Sequence, residues 1–203
     1  MKVSSQGGSK APRWEVAPAG LGDACDVLAF FERVNCPCYC QFDQHRGGSN
    51  SWLEMQATLP SPLHQALEKQ LCSERLTALL VRSEKGQVIG WARLAPAAEM
   101  PKIYQGRLYK GLPCFAQLGD RVWTMGCFLV DPSWRRQGVA RALLAGAISV
   151  ARQKGASQLQ AFPRDEADVA DECHLRGPPN LFTEAGFVVV HASALYPVFS
   201  YYF

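Results

Sequence analysis

Arg135, Arg136, Gly138, Ala140 and Arg141 crowd together directly after the apolar run Cys127-Phe-Leu-Val130 and the turn Asp131-Pro-Ser-Trp134. A strand that passes through a short turn into a helix offers the chemistry of anion binding. The first four amides of a helix lack partners within the helix and sit at the positive end of its dipole. A pyrophosphate placed there is therefore both hydrogen-bonded and electrostatically favoured. Gly138 and Ala140 keep the turn low enough for a phosphate to touch the backbone, and the three arginines add positive charge.

A second group with chemical potential is Cys36-Pro-Cys-Tyr-Cys40, followed by His45. Thiolates beside an imidazole are typical zinc ligands, but structural zinc sites bring cysteines in with two to four residues between them. On an extended chain the i, i+2, i+4 spacing puts all three sulfurs on one face, strung along the strand rather than converging. The expectation is therefore no metal and three packed or pocket-lining thiols. The chain has eight cysteines, no export signal, and a core large enough to need no disulfides, so all are expected as thiols.

The elements that would position these groups follow from periodicity. Trp14 to Ala17 reads as a first strand, and Asp23 as the cap of a helix with Val27, Phe31 and Val34 on one face. Gln41 to Leu59 is polar around Gly47-Gly48-Ser49-Asn50 and reads as a loop. Ser61-Pro62 opens a second helix that stacks Leu63, Leu67 and Leu71. Leu76 to Arg82 and Gln87 to Leu94 form a hairpin. Pro96 to Asp120 shows no period and is either a lid or a partly structured insertion. A strand over Val122 to Val130 leads to a helix from Gly138 to Lys154, stopped by Gly155, that buries Val139, Leu143, Ala147 and Ala151. A strand through Leu159, a five-acid polar excursion from Asp165 to Gly177, a helix over Asn180 to Ala185, and strands over Phe187 to His191 and Pro197 to Phe203 complete the chain. This order predicts an α/β fold, a mixed sheet with helices on both faces.

Composition bounds the function. The 203 residues are 48% hydrophobic and 19% charged, with a formal net charge of +3, which suits one enzyme-sized domain over residues 13–203 with a single core. The charge is too small for a nucleic-acid partner, and no apolar run approaches the roughly 20 residues needed to span a bilayer. Met1 to Lys10 lacks the apolar centre of a signal peptide. Residues 1–12 are expected to be disordered and the protein cytoplasmic, a monomer or homodimer.

The pattern Arg135-x-x-Gly138-x-Ala140, with Leu129-Val130, Pro132, Trp134 and Leu143-Leu144 in order, resembles the acetyl-CoA motif of the GNAT superfamily of acyl-CoA N-acyltransferases. Asn180-Leu-Phe-Thr-Glu-Ala-Gly-Phe187 resembles that superfamily's late helix and the strand after it. Cys38-Tyr-Cys40, Gly90-Trp91 with Pro96, and Trp123-Thr-Met-Gly-Cys127-Phe128 are similar to motifs of a poorly characterised bacterial group within it. The resemblance implies the GNAT fold, with residues 76–203 as the acyl-CoA core. It also implies transfer of an acetyl group from acetyl-CoA, as co-substrate, to a primary amine of a small-molecule or peptide acceptor. Phe128, Leu129 and Val130 would pair with the pantetheine arm. Arg135, Arg136, Gln137, Gly138, Val139, Ala140 and Arg141 would hold the pyrophosphate, Phe182 would line the thioester end, and Asn180 would also contact the cofactor.

The chain departs from the superfamily at both proton-handling positions, where Thr124 and Phe182 stand in place of a carboxylate or imidazole and a tyrosine. No catalytic residue is assigned on sequence. The open candidates are Tyr196, Tyr201, Tyr104, Cys127 or water as acid, and Glu54, Glu99, His45 or a water chain as base. A non-catalytic acyl-CoA-binding module, and a metal or redox sensor on Cys36, Cys38 and Cys40, remain as alternatives. The acceptor is expected between Cys36 to Leu59 and Pro96 to Asp120, where Lys102, Arg107 and Lys110 interleave with Tyr104 and Tyr109.

Overall fold

The computed structural model describes residues 14–58, 61–73, 76–116, 118–164 and 176–203. Seven strands form one sheet in the order β1-β2-β3-β4-β5-β7-β6. They are β1 (Val16–Pro18), β2 (Thr77–Arg82), β3 (Val88–Pro96), β4 (Val122–Val130), β5 (Gln158–Ala161), β6 (Val188–His191) and β7 (Val198–Tyr202). All neighbours are antiparallel except β4 and β5. The helices are α1 (Ala24–Arg33), α2 (Ser49–Ala57), α3 (Pro62–Cys72), α4 (Pro101–Tyr104), α5 (Val139–Gln153) and α6 (Pro179–Glu184). The mixed sheet flanked by helices is the expected fold class.

Each face of the sheet has its own core. Val139, Leu143, Leu144, Ala147 and Ala151 of α5 pack with Leu79, Ile89, Ala92, Met125 and Phe128 on one face. Val27, Phe30 and Phe31 of α1 and Leu67 and Leu71 of α3 pack with Leu80, Trp91, Cys127 and Leu129 on the other. Gly90 is required where α5 crosses the sheet, since a Cβ there would lie 2.8 Å from Val139 Cγ1. The two faces explain why β3 and β4 read as nearly continuous apolar runs rather than alternating ones.

Two features of β4 position the site. Its register against β3 slips between Ala92↔Phe128 and Leu94↔Met125, so Gly126 and Cys127 oppose the single residue Arg93. This bulge sends Cys127 toward α1 and α3 while Met125 and Phe128 share the α5 face. On the other edge, β4 pairs with β5 only over Val122–Thr124 against Gln158–Gln160. Tyr104 marks the point of divergence, its hydroxyl bonding Thr124 Oγ1 at 2.5 Å and Gln160 Oε1 at 2.8 Å. From Met125 to Val130 that edge of β4 has no partner strand among the described residues.

Three expectations need correction. Gln41 to Leu59 is not a plain loop but contains a 3-10 turn and α2, whose sole buried side chain is Trp52. A helix that buries one residue has no periodic stripe to reveal it. Asp23 occupies the cap position of α1, but its carboxylate accepts from Gly20 N at 2.8 Å and pairs with Arg82 instead of capping α1. The segment Cys36 to Cys40 is not extended. It coils through turns, with positive φ at Asn35, Tyr39 and Cys40, and the sulfurs converge.

The insertion 96–120 is partly structured, carrying α4 between two 3-10 turns. The expected disorder of residues 1–12 and the acidic residues Asp165, Glu166, Asp168, Asp171 and Glu172 lie outside the described residues. Among the described residues, no helix is long and apolar enough to cross a membrane.

Candidate functional site

The strand-turn-helix junction is held open by specific contacts. Asp131 Oδ1 accepts from Ser133 N at 3.0 Å, turning the chain after β4, while its Oδ2 pairs with Arg33 at 2.8 Å. Trp14 Nε1 donates to the Gln137 carbonyl at 2.8 Å and fixes the last residue of the turn. Arg136 has a φ of 60° and Gly138 one of 87°, so two left-handed residues bring the chain into α5. That conformation is costly for most side chains and free for glycine. Gly138 is also the N-cap, and no side chain caps α5. By contrast, Ser61 caps α3 by accepting from His64 N at 3.3 Å. The first amides of α5 are left available to a ligand.

A cavity of about 370 Å³ opens over this junction, between the free end of β4, the start of α5 and α6. Of the expected acyl-CoA residues, Phe128, Leu129, Val130, Arg135, Arg136, Gly138, Val139, Ala140, Arg141 and Asn180 line it. Gln137 and Phe182 do not. Gln137 turns its side chain to the Ser133 carbonyl. Phe182 is fully buried among Phe187 and Phe199, its ring edge beneath Gly177 and Phe128. Glu184 is the only acid in the lining among the described residues and pairs with Arg141 at 2.6 Å.

A second cavity of about 440 Å³ lies on the other side of β4. Its apolar wall includes Phe42, Ile103, Leu108, Tyr109, Phe162 and Tyr196. Among the described residues its polar groups are Asp43, Lys102, Arg107, Arg164 and Arg176, and its thiols are Cys38, Cys40 and Cys127. The two cavities adjoin at consecutive residues twice over, Cys127 beside Phe128 on β4 and Arg176 beside Gly177 before α6. Asp43 is buried, its Oδ1 bonded to Arg176 at 2.5 Å. Its Oδ2 lies over Gly126, within 3.4 Å of where a Cβ would stand. Glycine at the bulge thus makes room for a carboxylate against the strand.

Sequence reasoning did not single out Asp43, Arg164 or Arg176. The first lay in the stretch read as loop, and the last at the end of the polar excursion. Of the base candidates none lines either cavity. Glu54 and Glu99 are exposed, and His45 Nε2 bonds Ser51 Oγ at 3.0 Å. Among the acid candidates, Tyr196 and Cys127 line the second cavity. Tyr104 is spent on Thr124 and Gln160, and burial pushes its phenol well up. Tyr201 packs its ring at steep angles against those of Phe187 and Phe203. Lys102, Arg107 and Tyr109 of the insertion face the cavity, and Lys110 does not.

The comparisons agree with this geometry. The structure resembles PaiA N-acetyltransferase from Thermoplasma acidophilum, solved in complex with coenzyme A, with a TM-score of 0.55 and 11% identity over 95% of this chain and 100% of that one. It is also similar to ribosomal-protein-alanine N-acetyltransferase from Brucella melitensis, with a TM-score of 0.53 and 20% identity over 93% and 99% of the two chains. An N-acetyltransferase from Staphylococcus aureus Mu50 gives a TM-score of 0.54 at 14% identity over 94% and 99%. No curated protein sequence matches. At these identities the likeness is one of fold. The sequence model of the acetyltransferase (GNAT) family, however, matches residues 49–176, well over half of the chain, and the chain therefore belongs to the acetyltransferase (GNAT) family.

Proposed function

We propose that the protein is an acetyl-CoA-dependent N-acetyltransferase, with acetyl-CoA in the first cavity and an amine acceptor in the second. The observation that carries this reading is the meeting of the two cavities at Cys127/Phe128 and Arg176/Gly177. Two substrates bound there reach each other at the middle of β4, so the entropy of bringing them together is met on binding. The uncapped start of α5 with its arginines fits a pyrophosphate. The unpartnered edge of β4 from Phe128 to Val130 fits a pantetheine amide chain added like a strand.

On this reading the acceptor's amine attacks the thioester carbonyl, and backbone amides on the free edge of β4 stabilise the charge that develops on oxygen. Asp43, the one carboxylate lining the second cavity among the described residues, holds the acceptor's ammonium near the bulge. Thr124 and Phe182 hold no proton in the reaction. With general acid or base steps worth about 10²- to 10⁴-fold, water can serve in their place. Arg107, exposed at the cavity edge, suits an anionic group on the acceptor. Lys102 ties the insertion to the N-terminal segment by donating to Gly47 O at 2.5 Å.

The test is mass-resolved acetyl transfer to amines, peptides and aminoglycosides, each class with and without a carboxylate or phosphate. Turnover of an anionic amine supports the reading; tight acetyl-CoA binding with no turnover across the panel overturns it in favour of a binding module. With an acceptor in hand, Arg107→Ala should raise its KM about tenfold, as expected for one charge-assisted hydrogen bond, and leave the acetyl-CoA KM unchanged.

A further inference from the structure

Three sequence segments far apart in the chain meet at one cluster of sulfur. Cys36 Sγ and Cys38 Sγ lie 3.5 Å apart on the coiled turn. Cys127 arrives from the bulge of β4 and packs in the same buried cluster as Cys36 and Cys40, with Cys38 against it. Trp91 Nε1 donates to Cys40 Sγ at 3.4 Å. Arg93, opposite the bulge, reaches the same turn, with NH1 on the Cys40 carbonyl at 2.8 Å. Its guanidinium is buried with Nε unpartnered, and it has no carboxylate partner among the described residues. Arg176, by contrast, is neutralised by Asp43. Among the described residues no group of three or more His, Cys, Asp or Glu is arranged to hold a metal ion, so the cluster's chemistry is that of sulfur.

We propose that Cys36 and Cys38 are a modification site that reacts with low-molecular-weight disulfides and closes to an internal disulfide. Thiol donors and a neighbouring cation are what favour a thiolate. Proximity of the Cys127 thiol, then of the Cys38 thiol, holds the Cys36 thiol well below the ordinary value, while the same proximity to Cys36 pushes Cys127 up. The lowered thiol of the cluster is that of Cys36, and Arg93 braces the same turn through the Cys40 carbonyl. Cys36 is buried, but Cys38 is half-buried and lines the second cavity with Cys40 and Cys127, which gives a small reagent its way in.

The electron count closes in two exchanges. The Cys127 contact lowers the Cys38 thiol, but the contact with Cys36 and burial outweigh it and leave it raised. The attacking Cys38 thiolate therefore forms by proton transfer along the Cys36–Cys38 contact onto Cys36, and then attacks one sulfur of RSSR. A Cys38–SR bond forms, the RS–SR bond breaks, and RS⁻ leaves. Cys36, as thiolate, attacks the Cys38 sulfur, forms the Cys36–Cys38 bond and expels the second RS⁻. The one thiol proton left in the pair ends on one leaving thiolate and solvent protonates the other, so the protein cysteine pair is oxidised and one reagent disulfide is reduced to two RSH. The 3.5 Å separation is within reach of side-chain rotation to bonding distance. Cys25 and Cys72 are exposed and have no thiol neighbour among the described residues, so their reaction stops at the mixed disulfide.

The experiment treats the reduced full-length protein with oxidised glutathione and maps its peptides by mass spectrometry. The expected result is an internal Cys36–Cys38 disulfide, lighter than the dithiol by two hydrogens, alongside glutathione adducts on Cys25 and Cys72. In Cys38→Ser the internal disulfide should vanish while the Cys25 and Cys72 adducts persist. Unmodified Cys36 and Cys38 in wild-type protein whose Cys25 and Cys72 carry adducts would overturn the proposal, as would a Cys38 adduct that never closes. Neither readout depends on acetyl transfer, so the outcome stands apart from the proposed activity.

Discussion

The two cavities that share β4 are built on opposite plans. The first draws most of its lining from one continuous stretch, Phe128 to Arg141, and its anion-binding capacity belongs to backbone: a glycine cap, a left-handed turn and a free strand edge. The second draws its lining from six separate stretches of chain and its chemistry from side chains, including a buried ion pair and three thiols. Backbone-built sites tolerate substitution of most side chains and fail at the few positions where conformation is special. Side-chain-built sites fail wherever a buried partner is removed. That difference teaches where each half can be broken.

The largest effect is expected at the ion pair. Asp43→Ala would strand the Arg176 guanidinium in a setting where the two side chains are only 10% and 27% exposed. Breaking a buried pair from one side costs about 3–5 kcal/mol, read as a fall in chemical-denaturation stability. Asp43→Ala together with Arg176→Met should recover a large part of it, because replacing both partners removes the uncompensated charge. Loss of the same size in the double variant would show that the pair matters by shape and not by charge.

Next comes Gly138→Asp. A side chain at a φ of 87° is strained, and its carboxylate would stand where a phosphate must approach. Losing two charge-assisted hydrogen bonds at about 1.5 kcal/mol each corresponds to a roughly 100-fold weaker acetyl-CoA Kd, measured by calorimetry on a variant shown to be folded by circular dichroism. Unchanged affinity would remove the first cavity from the acetyl-CoA site.

The same contrast explains what could be read in advance. Strand β4 has the expected bounds, Val122 to Val130, and α3 begins at Ser61-Pro62 as its capping residues dictate. Cap, period and glycine punctuation are local, and so was the first cavity: ten of its lining residues were legible because one motif contains nearly all of them. The second cavity was not. Its key geometry depends on Tyr39 and Cys40 adopting positive φ, which non-glycine residues rarely do, and on a bulge that no residue pattern announces. Asp43 and Arg176 are 133 residues apart in the chain. Their pairing is a product of the sheet, and short-range signals place neither beside Gly126.

Phe182 tests the boundary between the two plans. It stands where the sequence resemblance implies a tyrosine, yet it has no exposed surface and its ring packs on Phe187 and Phe199. Phe182→Tyr should bury a hydroxyl without a partner and cost about 1–3 kcal/mol of stability, with little change in acetyl-CoA affinity. A stable variant with faster turnover would instead mean that the hydroxyl reaches the thioester past Gly177.

The smallest expected effect is the most discriminating for the first cavity. Arg141 and Glu184 pair at 2.6 Å across its mouth, with side chains 72% and 53% exposed. Exposed pairs of this kind contribute about 0.2–1 kcal/mol, so Glu184→Gln should leave folding stability nearly untouched. Its effect should fall on the ligand. Glu184 both repels an arriving phosphate and competes for Arg141, and glutamine keeps its size while removing the charge. Acetyl-CoA should bind up to about fivefold more tightly, the equivalent of the same 1 kcal/mol. The gain should fade as salt is raised from 0.01 M to 1 M and the screening length drops from about 30 Å to about 3 Å. A gain independent of salt would point to released packing, and weaker binding would mean that Glu184 orders Arg141 for the ligand instead of competing for it. In either case the acceptor KM should not move, because Glu184 lies on the far side of β4 from the second cavity.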